Sequence, residues 1–92
     1  MTYSNEQLNE IKRLSSLFAT VDDIAIMLDI DVDILRFDIN GEDLQASKHY
    51  QLGKTIRLLE LREIEIEQAK LGSTVAIDLI QKYITKQQLS EE

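Results

Sequence analysis

The chain has no cysteine, no proline and no tryptophan, and only three glycines and one histidine among its 92 residues. Without cysteine, disulfides and cysteine-based metal or nucleophile chemistry are excluded. His49 has no second histidine nearby, so a metal site would rest on scattered carboxylates, a weak donor set. No serine, lysine or carboxylate pair is spaced for catalysis, and no glycine-rich loop could cradle a phosphate. No enzyme activity, cofactor or metal ion is therefore expected. The lack of proline and the 5% aromatic content suit a largely helical protein. No apolar run approaches membrane-spanning length. The polar start Thr2-Tyr3-Ser4-Asn5 does not read as a secretion leader. A soluble, cytoplasmic protein with no membrane partner is the expectation.

Charge is present in quantity, but one sign dominates one half. The formal net charge is −7. Up to Glu42 nine acids face only Lys12, Arg13 and Arg36, whereas from Asp43 onward seven bases nearly balance eight acids. A nucleic-acid-binding surface normally gains much of its affinity from basic side chains that neutralise phosphates. The acidic first half opposes such a role.

Helical spacing runs through the whole sequence, and no β signal interrupts it. Ser4 is a good N-cap with Gln7 at the capping-box position, opening a first helix over roughly residues 5–18 whose buried side carries Leu8, Ile11, Leu14, Ser15 and Phe18. Thr20 caps a second helix, with Asp22 and Asp23 at the positive end of its dipole and Ile24, Ala25 and Leu28 on its buried face. Asp31 caps a third helix drawing its buried side from Ile34, Leu35, Phe37 and Ile39, and Asn40-Gly41 ends it. Residues 43–71 form one long helical pattern broken only by Gly53, roughly 40 Å at 1.5 Å per residue. Its apolar residues occupy two sides: Leu52, Ile56, Leu59, Ile66 and Ala69 on one, Leu58, Leu61, Ile64 and Leu71 on the other. Two apolar faces suit one turned to the chain's own core and one to a partner. Gly72 stops this helix, and Ser73 or Thr74 caps a last one with Val75, Ala76, Leu79, Ile80, Tyr83 and Ile84 as its stripe. The polar tail, residues 86–92, is expected to fray. The fold class is all-α: a helix-turn-helix bundle over residues 1–42, then a helical hairpin for oligomerisation over residues 43–92, together one small domain.

The second and third helices, pinched around Asp29-Ile30-Asp31, have the spacing of a helix-turn-helix whose second helix can enter a DNA major groove. Asp29 occupies a turn position often held by glycine, and it too tolerates left-handed geometry. Val32, Asp33, Arg36, Phe37 and Asn40 take the outward positions. Arg36 suits a guanine edge or a phosphate and Asn40 an adenine, while Asp33 and Asp38 oppose the backbone charge. The alternate aspartates 29, 31 and 33 also resemble the start of a calcium loop. Ile34 and Asn40 stand where that loop needs glycine and a bidentate glutamate, so helix caps and solvated turn residues are the better reading.

The second half carries a resemblance. Tyr50-Gln-Leu-Gly53-Lys54, Leu61-Arg62, Ala69-Lys70-Leu71-Gly72-Ser73, Ala76-Ile77 and Leu79-Ile80-Gln81-Lys82-Tyr83 resemble, in order and spacing, the core of phage terminase small subunits and their prophage-encoded relatives. The resemblance spans about residues 17–89. It implies a non-enzymatic DNA-packaging component in a bacterial host cell. Such a protein recognises double-stranded DNA through the helix-turn-helix, forms a homo-oligomer through the following helices, and recruits a large terminase subunit. Carried onto this chain, residues 31–40 become the DNA-facing element, and Lys48, Lys54, Arg57 and Arg62 lie where phosphates could be met. Leu52, Ile56, Leu58, Leu59, Leu61, Ile64 and Ile66 fall on the assembly surface. The chain departs from the family pattern in its acidic third helix and in stopping soon after the last helix, where a grip for the large subunit would be expected. Two rivals follow from the residues: a protein-interaction module whose helix-turn-helix does not touch DNA, and a small phage-type transcriptional regulator with a dimerising hairpin.

Overall fold

The computed structural model describes residues 1–91. Five α-helices follow one another: α1 (Asn5–Ser16), α2 (Val21–Leu28), α3 (Val32–Phe37), α4 (Leu44–Lys70) and α5 (Thr74–Ser90), with a wide π-type turn over Asp38–Glu42 between α3 and α4. There is no strand among the described residues. The fold is all-α, as the spacing of apolar residues predicts.

Side chains close the helix starts. Ser4 Oγ accepts from the Gln7 amide at 3.1 Å and Gln7 Oε1 accepts from the Ser4 amide at 2.8 Å, completing the expected capping box. Thr20 and Asp23 form a second reciprocal pair at the head of α2. Asp31 Oδ1 accepts from the Asp33 and Ile34 amides, Asp43 from the Ala46 amide, and Ser73 Oγ from the Ala76 amide.

Three helix ends share one closure, in which a residue with positive φ turns the chain so that the following amide reaches back to a carbonyl five residues earlier. Ala19 reaches Leu14 past Phe18 (φ 60°), Ile30 reaches Ala25 past Asp29 (φ 54°), and Ser73 reaches Gln68 past Gly72 (φ 94°). Only the last uses glycine. Left-handed backbone costs a bulky L-residue roughly 1–2 kcal/mol, so the Phe18 corner holds strain that the satisfied carbonyls must offset, whereas Asp29 tolerates this geometry. The first helix therefore stops at Ser16, short of the expected Phe18, whose ring is about half exposed at the corner. The last helix runs further than expected, to Ser90 with Glu91 as its cap; Glu92 lies outside the described residues.

The chain divides into two compact units, Met1–Arg57 and Leu58–Glu92. The division falls inside α4, because the first turns of that helix pack with the N-terminal helices. In the first unit Leu8, Ile11 and Leu14 of α1, Ile24 and Ala25 of α2, Leu35 of α3, Ile39, and Ala46 of α4 form the core. Tyr3 lies on this core, and its hydroxyl donates to buried Asp38 Oδ2 at 2.6 Å. The Met1 amino nitrogen lies 3.7 Å from the same oxygen. Desolvation, then the Asp38 hydrogen bond and charge, push the Tyr3 phenol above its usual range. Gly53 is buried where α4 meets α1: a methyl group built there would overlap Ser15 Oγ and the Lys12 carbonyl oxygen. In the second unit Ala76 is the one buried side chain among the described residues. Arg62 stacks over the Tyr83 ring at 4.3 Å, joining the end of α4 to α5.

Candidate nucleic-acid interface and assembly surface

The helix-turn-helix geometry is built locally. Asp29 ends α2 in left-handed backbone, Ile30 is half-buried against the core, and Asp31 restarts the chain as the cap of α3. Leu35 points inward and is fully buried, which turns Asp33, Arg36 and Phe37 outward. Val32 is half-buried against the core, and Asn40 is exposed in the wide turn beyond the helix. Of the third helix's expected apolar face, Leu35 and Ile39 are buried while Ile34 and Phe37 are exposed, Phe37 at 63%. Ile34 and Phe37, three residues apart, share one side of α3 and Leu35 lies on another, while Ile39 falls beyond the helix in the wide turn, so one helix face cannot bury all four.

Arg36, the one cation of α3, is held by carboxylates. Its Nη2 donates to Asp22 Oδ1 of α2 at 2.6 Å, and Nη1 lies 3.6 Å from Asp33. These pairs are exposed and contribute little stability. They nonetheless place negative charge where a base-reading arginine would approach DNA. The aspartates 29, 31 and 33 serve as a helix end, a helix cap and an arginine partner. Among the described residues no cluster of three histidine, cysteine, aspartate or glutamate side chains is placed to hold a metal ion.

The basic candidates of α4 sit differently. Lys48 is exposed, and Lys54 lies over the Tyr50 ring at 5.2 Å, a cation–π distance that leaves its stem half-covered. Arg57 is half-buried and lines a groove of about 420 Å³ with Asn9, Lys12, Arg13 and Ser16 of α1 and with Gly53 and Ile56 of α4. Arg13 shares its charge with Glu10 through two hydrogen bonds at 2.8 and 2.9 Å. That bond lowers the Glu10 pKa and raises that of Arg13. Sequence spacing does not connect Lys12 and Arg13 with Arg57. The signal that could have done so is Gly53: a lone glycine inside a long helix often marks a close backbone approach.

No known protein family, curated protein or solved structure matches this chain.

The assembly candidates all remain on the surface. Leu52 and Ile56 in the first unit, and Leu58, Leu59, Leu61, Ile64 and Ile66 in the second, each keep more than a third of their area exposed. In the second unit Leu71, Val75, Ile77, Ile84 and Leu89 are exposed as well. His49 Nδ1 lies 2.7 Å from the Gln45 carbonyl, which can only accept, so that nitrogen carries the proton. Tyr83 sits beside Glu65, whose hydrogen bond holds its phenol above the usual range. Among the described residues no helix is long and apolar enough to cross a membrane.

Proposed function

We propose that this chain is a non-enzymatic DNA-recognition and assembly protein of the kind that terminase small subunits represent in phage DNA packaging. The observation that carries the reading is the second unit's lack of a core. Two helices there bury only Ala76 among the described residues while many large aliphatic side chains stay in water. Each large aliphatic side chain fully covered is worth roughly 1.5–3 kcal/mol, so a hairpin with this surface gains most of its stability by meeting copies of itself. Homo-oligomerisation through α4 and α5 fits that need. The helix-turn-helix of the first unit then becomes a repeated reading head around the assembly, and a large terminase subunit is the implied further partner. The working cell is a bacterial host and the compartment its cytoplasm.

A second reading rests on one observation, the capture of Arg36 by Asp22 and Asp33. In that reading the helix-turn-helix is a protein-contact surface that leaves DNA alone. Two measurements separate them. Light scattering should give a species larger than a dimer, and a gel shift on long duplex DNA should strengthen as salt is lowered. A monomer at all concentrations would remove the assembly reading. No shift even at low ionic strength would remove the DNA reading and leave the protein-contact module.

A further inference from the structure

The outer side of the helix-turn-helix joins aliphatic surface to acid. Asp22, Ile26 and Asp29 recur along one side of α2, and with Ala25, Ile30 and Val32 they line a groove of about 480 Å³. Ile26 is 76% exposed, so its side chain has little cover within the chain. Residues 21–37 carry five aspartates and a single cation, Arg36, which Asp22 and Asp33 share. One guanidinium can offset only one of the five charges. Asp23 and Asp31 accept from backbone amides, which leaves their charge in place, and Asp29 makes no ion pair among the described residues. The converse surface lies on α5. Lys82, Lys86 and Leu89 repeat the same spacing along one side of that helix, and no carboxylate lines the shallow hollow they share with Gln81 and Thr85. Both lysines are exposed and make no ion pair among the described residues, not even with Asp78 one turn before Lys82. Leu89 is exposed as well. Each stripe covers about two helical turns, roughly 10 Å.

We infer that the α2–α3 groove of one copy takes up the Lys82–Leu89 face of α5 from a second copy. The inference rests on the homo-oligomerisation reading and adds to its aliphatic contacts one set by charge. Lysine stems lie along aliphatic surface while their ammonium groups reach acids at its edge. Lys82 and Lys86 therefore suit a groove with Ile26 at its middle and Asp22 and Asp29 at its ends. Asp29 is the stronger anchor, because Asp22 already holds Arg36. Leu89 supplies the aliphatic partner that Ile26 lacks. The two surfaces differ, so the contact is heterologous: each copy offers both and joins two neighbours.

The test is light scattering of the full chain across a dilution series. Ile26→Lys with Asp29→Asn turns the groove positive, since Arg36 still offsets Asp22, and asparagine tolerates the left-handed corner. Lys82→Glu with Lys86→Glu turns the α5 face negative. Like charges across the contact should raise the concentration for half-assembly by roughly tenfold or more in each variant. Mixing the two variants should restore the assembled mass, because each supplies the surface that the other needs; so should all four substitutions in one chain. A folding defect cannot imitate either recovery. Added salt should lower the wild-type mass, whereas aliphatic contacts alone would not weaken. If the wild-type chain assembles but both variants keep its mass, or neither recovery occurs, the groove contact is refuted while assembly through the aliphatic surface stands. If the wild-type chain stays monomeric throughout, the assembly reading itself fails and this inference falls with it.

Discussion

Gly53→Ala is the substitution for which local and tertiary preferences conflict most. Inside an exposed helix, alanine is favoured over glycine by roughly 1 kcal/mol, so helix propensity alone predicts a stabler protein. At this position the added methyl would overlap the Lys12 carbonyl oxygen and Ser15 Oγ. Ser15 Oγ could rotate aside, giving up its 2.9 Å hydrogen bond to the Lys12 carbonyl, but the carbonyl itself belongs to a helix backbone and cannot. Relief requires α1 and α4 to separate, loosening the contacts of buried Ser15 and of the core residues on either side. Overpacking of this kind costs about 1–3 kcal/mol, and a rigid obstacle puts the cost at or beyond the upper end. After the propensity gain, a net loss of about 2 kcal/mol remains. For a chain of this size each kcal/mol moves the melting temperature by about 4–8 °C, so a fall of roughly 8–16 °C is expected. Circular dichroism melts at one fixed protein concentration read it directly, with urea denaturation as a check that the m-value is preserved. Ser15→Ala in the Gly53→Ala background should recover only part of the loss, since the carbonyl remains. A melting temperature equal to or above the wild type would refute the close approach of α1 and α4.

Three further outcomes follow from the same structure. Tyr3→Phe removes the hydroxyl that donates to buried Asp38 and should cost about 1–3 kcal/mol by urea denaturation. Because burial and Asp38 raise the Tyr3 phenol, its contribution is fully present below about pH 10 and is lost as the pH climbs beyond it and the unfolded phenol ionises. The alkaline stability limb of Tyr3→Phe should accordingly be shallower than that of the wild type, and an identical limb would show that Tyr3 is not responsible. Leu61→Glu together with Ile64→Glu should lower the assembled mass in light scattering while leaving helicity of the first unit intact; an unchanged mass would remove these residues from the assembly surface. Thr20→Ala loses the reciprocal cap of α2 and should cost about 1 kcal/mol in a melt, with no loss indicating that the cap bonds are not held in solution.

What could be read in advance was chemistry that acts within a few residues. Ser4, Thr20, Asp31 and Ser73 cap the helices because a short polar side chain reaches amides two or three positions away, which spacing alone reveals. Gly72 was legible for the same reason. Phe18 was not, since a bulky residue at positive φ contradicts the local preference, and the corner is closed instead by the Ala19 amide donating to the Leu14 carbonyl. The wide turn over Asp38–Glu42 also escaped the helical pattern: Tyr3, 35 residues away, holds Asp38 inside. The Arg36–Asp22 pair and the meeting of Lys12 and Arg13 with Arg57 depend on how helices cross, which periodicity does not encode. Of the expected outward positions Asp33, Arg36 and Phe37 are exposed on α3, while Val32 is half-buried and Asn40 lies beyond the helix; the charge environment of Arg36 was not legible, because Asp22 arrives from another helix.

The second unit's nearly empty interior bears on how much of the protein is folded at a given moment. If the missing core lies in neighbouring copies, folding and association of this hairpin are one equilibrium, and its midpoint follows total protein concentration. A cell making few copies would hold them as first units with loosely structured hairpins, and a cell making many would convert them together into assemblies. The abundance of the chain would then itself act as the switch, with Ala76 marking how little of that decision is made within a single copy.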